Sequence, residues 1–298
     1  MKLAVTGING QVARSLVERA RRVPGIEVRP LGRPELLLEK PDTIAPAIRK
    51  SAPDILVSAA AYTKVDQAED QPELAYAVNA TAAGHVSAIA AELGIPIIHL
   101  STDYVFGGAK PGPHSENDST DPQCVYAATK LAGEELVAEA NSAHFILRTA
   151  WVYSPFGKNF VKTMLRFAAE RETLTVVGDQ WGTPTSALDV ADAILHLATT
   201  VHSNPKSSKP GLYHLAGTGE ASWLELAKHV LDVSERYGGP HADLSEITTA
   251  EFPTKAKRPF DSRLSSALFA EEFGWTAPHW HQSSELVVLR LLSQEQML

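Results

Sequence analysis

Cysteine is almost missing from this chain: Cys124 is alone among 298 residues. A single thiol forms no internal disulfide, so no covalent staple holds the fold, and the count suits a reducing compartment. Excess positive charge is missing too, with 27 Lys and Arg against 35 Asp and Glu and a formal net charge of −8. Binders of nucleic acid backbones carry clustered Lys and Arg, so nucleic acid is not an expected partner. A small phosphate-bearing ligand stays compatible, because backbone amides and one or two placed cations hold it within an acidic protein. No uninterrupted apolar run approaches the roughly 18 residues of a membrane helix. The opening Met1-Lys2-Leu3-Ala4-Val5-Thr6 has none of the regions of a signal peptide. The expectation is a soluble, cytoplasmic protein with no membrane partner.

What is present is globular: 44% hydrophobic and 21% charged residues lie near the averages for folded domains, which excludes a disordered or fibrous chain. At this length one core tends to divide in two. The first 150 residues alternate short apolar runs, at 3–6, 26–31, 55–58, 95–101 and 145–149, with helical patterns at 11–22, 43–50, 72–93 and 126–139. That rhythm predicts parallel strands joined by crossover helices, an α/β doubly wound sheet. The Ala-rich stretch before Gly94 and Pro96 is the clearest helix. Residues 107–122, dense in Gly, Pro, Ser, Asn and Asp, read as a surface loop able to cover a site. Beyond Trp151 come a helix at 159–171, a strand at 174–177, an irregular stretch at 178–185 and a helix at 186–199. An exposed connection at 203–211, a strand at 212–215 and a helix at 222–237 follow.

Gly7-Ile8-Asn9-Gly10-Gln11-Val12-Ala13 leaves the first strand and opens the first helix, the context that a phosphate-binding glycine loop needs. Gly7 permits the turn, Gly10 lets backbone approach a pyrophosphate, and Ala13 lets helix and sheet pack closely. A NAD site places an acidic residue at the end of the second strand; here Gly32-Arg33 stands there. A guanidinium pairs with a 2′-phosphate, which favours NADPH, with NADH left as the alternative donor. The loop makes the fold Rossmann-like. Residues 1–150, with a returning helix at about 186–200, are expected to bind the dinucleotide, and 151–185 with 211–298 to form a smaller α/β carboxy-terminal substrate lobe.

Tyr126-Ala127-Ala128-Thr129-Lys130 begins a helix, so the four-residue spacing puts phenol and ammonium on one face. A neighbouring cation is expected to lower the phenol's pKa and stabilise the developing phenolate while Tyr126 protonates a carbonyl oxygen. Tyr-x-x-x-Lys alone is a weak pattern. Ser101-Thr102-Asp103-Tyr104 at the end of a parallel strand strengthens it, because catalytic groups gather there and the Thr102 hydroxyl can reach the same oxygen. As a structural residue, Thr102 would simply cap a turn.

The Gly7 loop, residues 101–106 (Ser-Thr-Asp-Tyr-Val-Phe) and Tyr126-x-x-x-Lys130 together resemble the extended short-chain dehydrogenases, specifically the dTDP-4-dehydrorhamnose reductases. Residues 59–66, 148–153, 178–185 and 258–262 match as well, so the resemblance runs nearly the whole chain. It implies NADPH-dependent reduction of the C4 keto group of dTDP-4-dehydro-L-rhamnose, the last step of dTDP-L-rhamnose synthesis. It implies Thr102, Tyr126 and Lys130 as the catalytic group, with Lys130 also holding the nicotinamide ribose. Gly7, Gly10, Gln11, Val12, Ala59, Ala60, Ala61 and Asn79 fall on the cofactor side, and Arg33 joins them from the reasoning above. Val65, Asp103, Tyr104 and Trp151 would line the sugar pocket, and Arg258 would meet the diphosphate. Some members carry an acidic residue in place of Ser15 that takes part in a magnesium-linked dimer; with serine there, no magnesium site is expected, and the chain is expected as a monomer or homodimer.

His279-Trp280-His281 is too sparse for a metal site, and Cys124 has no base partner that would activate it. Two other readings fit the same motifs: a sugar-nucleotide epimerase that recycles bound NAD, and a non-catalytic partner such as the regulatory beta subunit of methionine adenosyltransferase.

Overall fold

The computed structural model describes residues 1–205 and 208–295, side chains through 293. Apolar runs become strands where β-branched and aliphatic residues crowd together: β1 (Lys2–Thr6), β2 (Glu27–Leu31), β3 (Ile55–Ser58), β4 (Ile97–Thr102) and β5 (His144–Thr149). With Gly211–His214 they form one six-stranded parallel sheet in the order Gly211–His214, β5, β4, β3, β1, β2. Leu3 and Val5 join one apolar cluster and Ala4 the opposite one, as the two-residue period of a strand requires. Helices Gln11–Ala20 and Ala187–Ser203 cover the first face with Leu16, Val190 and Ile194. Helices Ile44–Ser51, Ala82–Glu92 and Val125–Ala140 cover the other with Ile48, Val86 and Val137. The doubly wound expectation stands, and strand order reverses between β1 and β3, where such sheets open a crevice.

A separate apolar cluster joins helices Phe160–Glu170, Trp223–Arg236 and Trp280–Glu295 through Val161, Leu165, Leu226, Val230, Val287 and Val288. The strand Thr173–Val177 lies beside it, paired in parallel with Asp243–Ile247. The expected connection at 203–211 includes Lys206 and Ser207, which lie outside the described residues. Among the described residues no helix is long and apolar enough to cross a membrane.

Two expectations need correction. The single helix at 72–93 is three pieces, Pro72–Tyr76, a π-turn at Ala77–Thr81 and Ala82–Glu92. The π-turn centres on Asn79, whose buried amide accepts from Tyr62 N (2.7 Å) and donates to Tyr62 O (3.2 Å) and Thr129 Oγ1 (3.1 Å). Those bonds draw the turn against the helix bearing Tyr126; a Cβ on Gly133 would sit 2.1 Å from Asn79 O, so only glycine allows this approach. The loop at 107–122 lines neither of the cavities described below. It is latched instead onto the carboxy-terminal segment by His114 N to Arg263 O (2.7 Å), Ser265 N to His114 O (2.8 Å) and Gly112 N to Asp261 Oδ2 (2.8 Å).

Candidate active site

At the carboxyl ends of β1, β3, β4 and β5 lies a cavity of about 870 Å³. The glycine loop forms one wall. Gly7 has φ +97°, the left-handed region that disfavours a side chain, and its N–H donates to Leu31 O (2.6 Å). A Cβ on Gly10 would meet no protein atom within 4 Å, so the space over this residue is open. Gly10 precedes helix Gln11–Ala20, and no side chain caps that helix start. Free amides beside open space suit an anion. Thr6 Oγ1 accepts from Ala59 N (2.9 Å) and Ala60 N (3.0 Å), drawing residues 59–61 to the facing wall. A second compartment of about 390 Å³ adjoins the first across Gly7, Ile8, Asn9, Ala60 and Ala61. Leu36, Leu37, Leu74 and Val78 give it apolar walls, and Arg33 stands in its lining. The two adjoining spaces, with an open glycine loop between them, suit a dinucleotide.

Thr102, Asp103, Tyr104, Tyr126 and Lys130 line the larger cavity together. Thr102 ends β4 and caps the short helix Asp103–Val105, accepting from Tyr104 N at 3.2 Å, so it caps a turn while facing the cavity. Its hydroxyl donates to Asp103 Oδ1 (3.1 Å), and Ser262 Oγ donates to Asp103 Oδ2 (2.6 Å). Burial pushes the Asp103 carboxyl up to about 6 despite these hydrogen bonds. Lys130, 3% exposed, donates to Leu100 O (2.7 Å) and lies 3.3 Å from His99 Nε2. Burial draws the ammonium down to about 8, and Glu134 one turn along opposes that.

The expected lowering of the tyrosine pKa is wrong. Burial pushes the Tyr126 phenol up to about 12, a hydrogen bond with Thr102 opposes it only in part, and Asp103 adds to the rise. The ammonium is engaged by the Leu100 carbonyl rather than the phenol. Tyr126 is therefore a proton donor throughout the neutral range.

Trp151 adopts φ +47° and stacks on Trp223 with ring centroids 3.4 Å apart and planes 2° apart. A Cβ on Gly182 would fall 2.1 Å from the Trp151 ring, so the indole lies between a glycine and a second indole while still facing the cavity. Val65 also lines it. Gln11 does so too, but its side chain is spent on structure: Nε2 donates to Val152 O (3.1 Å), and Oε1 accepts from Ser154 Oγ and Asn159 Nδ2, both at 2.9 Å. Asn79 and Arg258 line neither cavity. Asn79, 1% exposed, braces Tyr62 from behind rather than reaching a ligand. Arg258 Nη2 pairs with Asp66 Oδ2 (2.8 Å), and its Nη1 is buried with no hydrogen-bond partner among the described residues. Cys124 is buried and free. His229, His279 and His281 meet around Trp280, yet among the described residues no group of three or more His, Cys, Asp or Glu side chains is disposed to hold a metal ion. Trp223 and His99 escaped the sequence reading, since each acts through contacts distant in the chain.

The family described as RmlD substrate binding domain matches residues 1–292. The chain belongs to this family. A dTDP-4-dehydrorhamnose reductase of Sinorhizobium fredii is 48% identical over 292 residues, covering 98% of each chain. The crystal structure of a dTDP-4-dehydrorhamnose reductase from Clostridium acetobutylicum superposes with a TM-score of 0.89 at 33% identity, over 98% of this chain and 100% of that one. The Bacillus anthracis dTDP-4-dehydrorhamnose reductase in complex with NADP gives 0.87 at 33% identity, over 97% and 99%.

Proposed function

We propose that this chain is an NADPH-dependent dTDP-4-dehydrorhamnose reductase, converting dTDP-4-dehydro-L-rhamnose to dTDP-L-rhamnose. The observation that carries the reading is the opening of the glycine loop and of Thr102, Tyr126 and Lys130 into one cavity. Kinship to reductases of that name, one of them an NADP complex, supports it. On this reading residues 1–150, with the helix returning near 186–200, bind the dinucleotide, and 151–185 with 211–298 bind the sugar nucleotide. The cytoplasm is the compartment in which it would work.

A dinucleotide held in the cavity would supply the hydride that the C4 carbonyl carbon takes up. Tyr126 delivers a proton to the carbonyl oxygen in the same event, so the ketone becomes a secondary alcohol. Lys130 holds the nicotinamide ribose from its place at the Leu100 carbonyl. Thr102 gives a second hydrogen bond to that oxygen by turning its hydroxyl proton away from Asp103. The backbone around Gly10 holds the pyrophosphate, and Ala59, Ala60 and Ala61 close over the other side. Val65, Tyr104 and Trp151 wall the sugar, and Arg258 would reach the diphosphate by turning its guanidinium out of the pair with Asp66.

The test is loss of reduced-nicotinamide absorbance with dTDP-4-dehydro-L-rhamnose generated in place, beside a GDP-linked keto sugar. Stoichiometric oxidation yielding dTDP-L-rhamnose is expected; an isomer of the keto sugar formed with no net oxidation would turn the assignment to an epimerase. Gly10→Ala is expected to weaken NADPH binding about tenfold, since its methyl group enters the pyrophosphate space. Thermal unfolding should stay within about 2 °C, because that methyl meets no protein atom. Unchanged NADPH affinity in a titration would remove the pyrophosphate from this loop.

A pH prediction follows from Lys130. Its ammonium is charged below about 8 and neutral above, so turnover should fall as pH rises through about 8. The phenol, at about 12, would not produce that limb. A rate profile flat to about pH 10 would remove the ammonium from catalysis.

A further inference from the structure

The smaller compartment carries a second charge, a carboxylate of the same sign as the phosphate of the expected ligand. Arg33 Nη2 is 2.5 Å from Glu39 Oε1, and both residues line this compartment. The two partners are unequal. The Arg33 side chain is 74% exposed, whereas that of Glu39 is 29% exposed. Glu39 also sits in a braced turn: Leu36 N donates to Gly32 O (3.0 Å), Lys40 N to Leu37 O (2.9 Å) and Leu37 N to Thr43 Oγ1 (2.9 Å). Glu39 is thus the more enclosed member, on a braced stretch of backbone, and the guanidinium the more exposed one.

We propose that Glu39 is the residue that limits the preference of this site for a 2′-phosphorylated dinucleotide. The inference rests on the cofactor reading above and adds a specificity residue to it. A 2′-phosphate reaching Arg33 must share or displace a carboxylate already paired with it, and the two anions repel. A ribose without that phosphate offers hydroxyl donors instead, and Glu39 is an acceptor within the same compartment, the part an acidic residue plays in sites for the unphosphorylated cofactor. Arg33 alone favours NADPH; the pair narrows the difference between the two cofactors.

The experiment is a titration of the whole protein with NADPH and with NADH, followed by energy transfer from tryptophan to the nicotinamide, for the wild type, Glu39→Gln and Arg33→Gln. Glu39→Gln frees the guanidinium and should tighten NADPH about fivefold while NADH weakens about twofold, moving the affinity ratio about tenfold toward NADPH. Arg33→Gln should move that ratio about tenfold the other way. If the wild type binds both cofactors and Glu39→Gln leaves the ratio unmoved or shifts it toward NADH, the proposal is overturned while the cofactor reading stands. If the wild type binds neither, both fall.

Discussion

Tyr126→Phe should lower kcat by about 10²-fold or more on dTDP-4-dehydro-L-rhamnose while NADPH affinity stays within about twofold. The substitution removes one oxygen and keeps the ring, which packs edge-on against Tyr104 at 5.7 Å between centroids. The walls of the cavity therefore persist. What disappears is a proton source held near pKa 12 by burial, protonated at every pH in which the protein is handled. Hydride addition would then leave an alkoxide with only Thr102 beside it. Steady-state rates and a nicotinamide titration on the same preparation separate the two effects; turnover within about threefold of wild type would assign the proton to another group.

The largest stability effect is expected away from the cavity, at Arg148. Its guanidinium donates from Nε to Glu134 Oε1 (3.0 Å) and Oε2 (3.2 Å), and from Nη2 to Oε2 (2.7 Å). The side chains are 4% and 6% exposed, and the cation also lies 5.2 Å from the centre of the Phe106 ring. Arg148→Met leaves a buried carboxylate without its partner and should destabilise the fold by about 3–5 kcal/mol in urea unfolding. Against a total of about 5–15 kcal/mol, that is a large fraction. Arg148→Met/Glu134→Leu should recover more than half of the loss, because uncompensated charge rather than missing contact carries the penalty. A single variant within about 1 kcal/mol of wild type, or a double variant no better than the single, would show that water reaches Glu134.

Much of the fold could be read from the chain because the inner strands of the sheet are short apolar runs whose period is local: β3 lies at its expected bounds, and β1 and β5 begin one residue early. The glycine loop and Tyr126-x-x-x-Lys130 were legible for the same reason, since neighbours within one turn or one helix decide their geometry. The misses share the opposite cause. The π-turn at Asn79 depends on Thr129, fifty residues away, and on a glycine in a facing helix. The raised phenol is set by burial beneath several elements, which a local reading of its nearest cation omits. Arg258 reads as a free cation in sequence, and only the fold brings Asp66 to it.

The stacking of Trp151 on Trp223 has a use in the laboratory. Two indoles in face contact at the wall of the large cavity form a coupled chromophore, and Phe160 leans on it from 4.6 Å. Their ultraviolet circular dichroism should carry a paired band that the other three tryptophans, outside this stack, do not produce. A sugar ring entering against Trp151 would change that band without any label, so occupancy of the substrate side could be followed optically, independently of the nicotinamide signal and of turnover.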